Sequence, residues 1–278
     1  MISAIIISFS GLIIRNIENA NSWTIIFYRA LAFTLAIFCF ILFKNRSNFI
    51  KKFNDVGIAG ILVGIILGFT NITYIIAITN TTVANTLFTI SLIPLLTTLL
   101  AFIFLKEKIS ISTFFSIVLA FLGIVIMFAG SVISGYFFGN FMALITAILF
   151  SISTVIIRLK SSIEMLPSLV LGGIFSIFLT LIVTQFSLYA SYFDIFLCFL
   201  LGGLLSAFAN ASFVLATRYI PAAEVTFYLF IEFALGPFWV WIFVNEEPAG
   251  STLLGGFIIL FSLLTKTSVD YFKAKRSL

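Results

Sequence analysis

GFTNITYIIAITNTTVANTLF (Gly68–Phe88) and AFANASFVLATRYIPAAEVTF (Ala207–Phe227) run side by side without a gap at an offset of 139 residues. In that register Asn71 meets Asn210, Ala77 meets Ala216, Ala84 meets Ala223 and Phe88 meets Phe227. Further on, IFLKE ending at Glu107 meets IFVNE ending at Glu246. A weaker echo pairs SGLIIR, ending at Arg15, with STVIIR, ending at Arg158. Chance aligns Phe, Ile and Ala in an apolar chain, but it does not readily align Asn with Asn and Glu with Glu in one register. Two homologous halves follow: a first repeat over residues 1–130, a short external connection at 131–137, a second repeat over 138–268 and a basic tail at 269–278.

Outside these stretches the chain keeps the same character. Hydrophobic residues make up 62% of its 278 positions and charged residues 9%, and the mean hydropathy is +1.26. So few charges cannot cover the surface of a soluble domain of this length. Apolar runs of roughly 20 residues, enough for a hydrocarbon core of ~30 Å, recur from end to end. Backbone polar groups in lipid must be satisfied internally, so these runs are expected to be helices. A barrel would need alternating polarity over short strands, which is not seen.

Ten spans are expected, at about 2–19, 23–43, 56–78, 82–104, 111–130, 138–158, 167–187, 194–217, 222–244 and 251–268. The expected fold class is therefore an all-α membrane protein with ten transmembrane helices, arranged as two inverted five-helix repeats around a central cavity. The first span is the shortest before a charge, because Arg15 must reach an interface; a full-length span would need residues upstream of Met1. No basic region or small-residue cleavage site marks a signal peptide, so that segment should be retained.

When the charges are sorted by alternate sides, all of the 15 basic residues except Arg15 and Arg29 fall on one side. The positive-inside rule then puts both termini in the cytoplasm; the expected location is the cell (inner) membrane. Five spans per half is an odd number, so consecutive halves cross in opposite senses. Inverted repeats of this kind characterise secondary transporters, with the binding site near the midplane between halves. The segment KNRSNFIKKFND (residues 44–55) reads as a basic amphipathic link, not a nucleic-acid face.

Several classes drop out. Histidine is absent, which removes the usual imidazole ligand and base. Cys39 and Cys198 stand singly inside spans and read as small buried hydrophobes, without a disulfide, metal or cofactor. No phosphate loop of the form GxxxxGK[ST] supports an ATP-driven pump, and no HExxH motif supports an intramembrane protease. An enzyme is not expected. A channel or facilitator for small solutes remains the alternative to a carrier.

A family resemblance rests on Thr82-Val-Ala-Asn85, Pro94-Leu95, Phe104-Leu-Lys-Glu107, Glu232, Gly236-Pro-Phe-Trp239-Val-Trp241, Asn245-Glu-Glu-Pro248 and Gly255-Gly256. With the opening Ser8–Arg15 and Tyr28-Arg29, these residues resemble the EamA-type branch of the drug/metabolite transporter superfamily. The resemblance covers nearly the whole chain. It implies a ten-helix exporter-like fold with inward termini, alternating access, and an amino acid, other metabolite or drug as cargo. It is silent on which. The expected partners are the lipid bilayer and one small-molecule substrate, and a monomer or homodimer would suffice.

Glu232 is the sharpest candidate for the chemistry. It sits near the centre of the ninth span, where an ionised, unpaired carboxylate costs on the order of 2.5–3.5 kcal/mol. Gaining and losing a proton there could couple proton entry to substrate exit; the other reading is a structural carboxyl holding a bent helix. Tyr228 and Trp239 share its helical face and could line the same cavity. Asn71 and Asn210 could recognise substrate or could bond helices together beside small residues. Arg29, about 9 Å inside the second span, either snorkels to the interface or faces a substrate carboxylate. Pro94 and Pro237 should kink the fourth and ninth spans. Glu107 and Glu246 would cap a helix or pair with a base.

Overall fold

The protein is described by a computed structural model covering residues 2–44, 49–106, 111–219 and 229–276. Among these residues it is all helix, 84% by content, without strands. The helices are α1 (Ile2–Ile7), α2 (Ser10–Arg15), α3 (Ser22–Lys44), α4 (Phe49–Asp55), α5 (Gly57–Asn80), α6 (Val83–Ile90), α7 (Ile93–Leu105), α8 (Ile111–Ser134), α9 (Phe137–Leu159) and α10 (Leu166–Thr184). Then α11 (Tyr192–Phe199) runs through a π-helical segment, Leu200–Ser206, into α12 (Ala207–Ala216), and α13 (Phe230–Val244) and α14 (Gly250–Arg276) close the chain.

Seven of these stretches are long and apolar enough to cross a membrane, and they match seven of the ten expected spans closely. The other three expected spans correspond to shorter apolar helices, Ile2–Arg15, Ile231–Val244 and Gly250–Thr265. Part of the expected ninth span, residues 222–228, lies outside the described residues, as do Tyr228 and Glu107. The connection expected over 131–137 shrinks to Gly135 and Tyr136, because α8 continues through Ser134. Gly135 makes the reversal at φ +76°, a left-handed backbone open to glycine.

Helix packing follows the small residues. A Cβ on Gly172 of α10 would lie 2.8 Å from the carbonyl oxygen of Gly64 on α5, so glycine is what lets these backbones touch. Ser176 of α10 donates its hydroxyl to the Gly68 carbonyl at 3.0 Å across the same seam. Elsewhere α5 packs on α9, α10 on α3, the π-helical segment on α3, α7 on α9, and α13 on α1 and α2. Helices α8 and α14 pack chiefly on one another. Their outer faces leave large apolar side chains bare, such as Phe121 at 66% and Phe257 at 71% exposure. Contiguous apolar surface of that kind suits lipid and not water.

The ends of the bundle are pinned by polar contacts. At one end Arg15 Nε meets Glu246 at 2.5 Å and its Nη2 donates to the Thr81 carbonyl, while the second Glu246 oxygen accepts the Val83 backbone N–H at 2.6 Å. Arg15 is thus paired and not simply snorkelling. Glu246 both pairs with a base and caps a helix, although the helix is the distant α6. Asp194, 1% exposed, accepts the backbone N–H groups of Glu18 and Asn19 at this end. At the other end Glu164 accepts from Lys44 at 2.7 Å and Lys52 at 3.0 Å, tying α3 and α4 to the loop before α10. Burial by itself would raise the Glu164 carboxyl pKa, but the two ammonium groups hold it below the ordinary range.

Candidate functional site: a polar cavity at the centre of the bundle

Inside the bundle lies a cavity of about 150 Å³. Its wall is drawn from α1, α3, α5, α6, α7, α9, α10, α12 and α13, and among the described residues none of it from α8 or α14. Most of the wall is apolar, including Phe33, Phe150, Phe213 and Phe233, with a small set of polar groups set into it: Arg29, Thr70, Asn71, Tyr74, Thr146, Asn210 and Glu232. An apolar pocket with few convergent polar groups is the usual form of a small-molecule site.

Arg29 is the best-anchored of these. Its Nη1 donates to the Asn71 side-chain oxygen and its Nη2 donates to Ser206 Oγ at 3.1 Å. The guanidinium carbon lies 5.4 Å from the centre of the Tyr74 ring, within cation–π range. Its Nε–H is buried without an acceptor among the described residues. Arg29 therefore faces the cavity, and the snorkelling reading is corrected: Asn71 and Ser206 hold its guanidinium inside the bundle.

Ser206 is a residue that sequence reading missed. It closes the π-helical segment, and a Cβ on Gly202 in that same turn would meet the Arg29 carbonyl oxygen at 2.1 Å. The glycine pair Gly202-Gly203 was the available signal. Wide π turns are associated with functional positions in helices, and this one brings the Ser206 hydroxyl to the guanidinium.

Glu232 lies in the first turn of α13 and lines the same cavity. Among the described residues its carboxylate has neither a hydrogen-bond partner nor an ion pair. Arg29 and Glu232 both line the cavity, and among the described residues no ion pair joins them.

Other candidates sort differently. Asn71 and Asn210 both line the cavity, but Asn71 accepts from Arg29 while Asn210 donates to the Ser206 carbonyl of its own helix at 2.9 Å. Trp239 does not line it. Its ring stacks on Phe9 at 4.9 Å and its Nε1 donates to Ser8 Oγ at 3.0 Å, because the next turns of α13 rotate against α1 and α2. Pro94 is the second residue of α7, where a missing N–H costs little, and the helix is interrupted before it at Ser91-Leu92. Pro237 sits inside a continuous α13. Cys198 is buried as expected; Cys39 is exposed on the outer face of α3.

The lining residues repeat at the sequence offset. Ile7 and Thr146, Phe33 and Gly172, Thr70 and Ala209, Asn71 and Asn210, Tyr74 and Phe213, Ile90 and Leu229, and Ile93 and Glu232 are all wall residues, and each pair is 139 positions apart. Lys106 and Asn245, also 139 apart, end α7 and α13 in the same left-handed conformation, at φ 55° and 56°.

Residues 1–129 match the EamA-like transporter family. A solved crystal structure of another protein covers 96% of this chain and 95% of its own, at 14% identity and a TM-score of 0.69, a likeness of fold alone. No curated protein matches the sequence. A multi-pass helical membrane protein whose N-terminal half matches the EamA-like family is consistent with a transporter.

Proposed function

We propose that this protein is a secondary active transporter with ten transmembrane helices, arranged as two inverted five-helix repeats. It exports a small metabolite, such as an amino acid, by alternating access at the central cavity, with proton coupling through Glu232. Both termini lie in the cytoplasm, and the protein resides in the inner membrane. The observation that carries the reading is the pairing of cavity wall residues at one constant offset. A site assembled from equivalent positions of two repeats is what a carrier with a midplane pocket requires.

Two further observations support it. Helix neighbours map onto one another: α5 on α10 corresponds to α12 and its π-helical segment on α3, and α7 on α9 corresponds to α13 on α1 and α2. Thr34 and Gly173, counterparts at the same offset, touch each other, with the Thr34 hydroxyl filling the space a Cβ on Gly173 would need. Self-contact between counterparts supports a pseudo-two-fold axis between α3 and α10.

Arg29, Asn71, Asn210 and Glu232 are proposed to contact substrate, Tyr74 to back the Arg29 guanidinium, and Ser91-Leu92 and Pro237 to let α6–α7 and α13 flex. Counterflow in proteoliposomes tests the carrier: preloaded cold substrate accelerates uptake of label, whereas flux rising linearly with concentration would indicate a channel. Glu232→Gln removes the titrating group, so transport should lose its pH dependence between about pH 5 and 8 while the protein stays folded. An unchanged pH profile in this variant would remove Glu232 from coupling.

A further inference from the structure

We propose that Arg15 and Glu246 are the latch of a gate. Together they hold the chamber shut toward the Arg15 end, which is external in the proposed orientation, and that end opens when they release their joint grip on the α5–α6 junction. The proposal rests on the carrier reading and adds how one of its two mouths is closed.

The chamber lies at unequal depths from the two ends of the bundle. Toward the Glu164 end its wall reaches Leu169, three residues on from the start of α10, and Phe213, three before the end of α12. Both stand within about 5 Å of a helix terminus. Toward the Arg15 end, the described wall residue nearest its own helix terminus is Tyr74, six before Asn80, or about 9 Å away. The layer between is dry. Ile14 of α2, Ile78 of α5, Val83 and Leu87 of α6 and Val240 of α13 share one core there, each at most 3% exposed. A solute leaving by this end must pass between those four helices.

The latch ties the same helices together at their ends. Arg15 is the last residue of α2 and Glu246 follows α13, so their ion pair joins those two helices. Each partner then reaches across to the junction. Arg15 Nη2 donates to the carbonyl of Thr81, which caps the end of α5, and Glu246 accepts the N–H of Val83, the first residue of α6, both at 2.6 Å. Asn245 turns the chain for this, ending α13 in the left-handed conformation that asparagine tolerates.

One side of this contact is fixed and the other can let go. Thr81 Oγ1 donates to Asn140 of α9 at 2.8 Å and accepts from Asn85 at 2.9 Å. Thr252 of α14 donates to Asn85, and Asn140 donates to Ser131 of α8. None of these five residues is more than 3% exposed, so pulling the set apart would strand polar groups away from water. The side chains of Arg15 and Glu246 are instead 23% and 20% exposed. Water can take over their charges, and the two backbone groups they hold, once the grip is released; a fully buried pair would have no such exit. The geometry therefore makes α2 and α13 the side that moves and the α5–α6 junction the side that stays.

Thiol labelling of the full chain in oriented proteoliposomes tests the latch. The reporter is Thr70→Cys, at a cavity wall position whose hydroxyl donates within its own helix, in a background carrying Cys39→Ser and Cys198→Ala. A membrane-impermeant methanethiosulfonate is added to one side and then, separately, to the other. With the latch intact, labelling should be fast from the Glu164 end and slow from the Arg15 end. Glu246→Gln and Arg15→Gln should each raise the Arg15-end rate about five-fold or more, because the open population grows, and lower the Glu164-end rate. Arg15→Lys keeps a cation for Glu246 but gives up the donor to Thr81, so it should fold normally and raise the Arg15-end rate about two-fold.

An Arg15-end rate that is unchanged in all three variants, or already as fast as the Glu164-end rate with the latch intact, overturns the latch. So does a rise at both ends, the mark of a contact that merely holds the bundle together. A rise at the Arg15 end with the Glu164-end rate unchanged keeps the latch and overturns alternating access, since both mouths would then stand open at once.

Discussion

The two halves of the chain agree in their frame and disagree in their charges. At positions 139 apart they share a wall asparagine, a left-handed helix end and a set of helix neighbours. Yet Arg29 stands against Ser168, Glu232 against Ile93, and the π-helical Leu200–Ser206 against a regular α-helical stretch at residues 61–67. Counterpart positions line one chamber, while its charged groups occur once each, at positions whose counterparts are neutral. Two copies of Glu232 across one small cavity would repel, and two copies of Arg29 would do the same.

The largest expected effect breaks the frame on one side only. Gly64 and Gly203 are counterparts, but a Cβ on Gly64 would meet Leu171 Cβ at 2.8 Å, whereas one on Gly203 would find Ala32 at an ordinary 3.6 Å. Gly64→Ala should therefore destabilise the protein by about 1–3 kcal/mol, and Gly203→Ala should leave its thermal midpoint within experimental error. Equal losses in thermal unfolding would mean that the two seams are equivalent after all.

A middle-sized effect sharpens the contrast between the asparagines. Asn71 holds the Arg29 guanidinium and Asn210 bonds its own helix. Asn71→Ala should lower transport efficiency about ten-fold, close to 1.4 kcal/mol, and Asn210→Ala by no more than a few-fold. Matching losses would show both amides acting on substrate alike.

The smallest effect lies outside the cavity, where Glu164 faces Lys44 and Lys52 and its counterpart is Ile25. Its carboxyl is held below the ordinary range, so its stabilisation is present at neutral pH and is lost as pH falls through that lowered value. Part-exposed lysines limit the contribution to about 1 kcal/mol or less. Glu164→Gln should lower the thermal midpoint slightly at neutral pH and flatten its decline in acid. A midpoint that declines in acid as steeply as that of the unchanged protein would relieve Glu164 of the role.

Much of this was readable from residues alone. Helix positions followed from the length and apolarity of each run, since a backbone in lipid has few other ways to satisfy itself. The offset between Asn71 and Asn210 left two readings open, one shared cavity or bonds between helices, and both residues line the chamber. Trp239 was misplaced because helical periodicity gives a face but not the neighbour that face turns toward. Arg29 was undecided because an arginine stem can reach an interface or a buried acceptor with equal ease.

What the sequence by itself determined is the class of molecule and the offset at which its letters recur, because hydrophobic length and repeated letters are local properties of the chain. Only the tertiary structure decided that Arg29 is held by Asn71 and Ser206, that Glu232 shares its chamber without touching it, and that Arg15 pairs with Glu246. Those outcomes depend on which side chains from distant helices arrive within hydrogen-bond range, and no property of one segment fixes that.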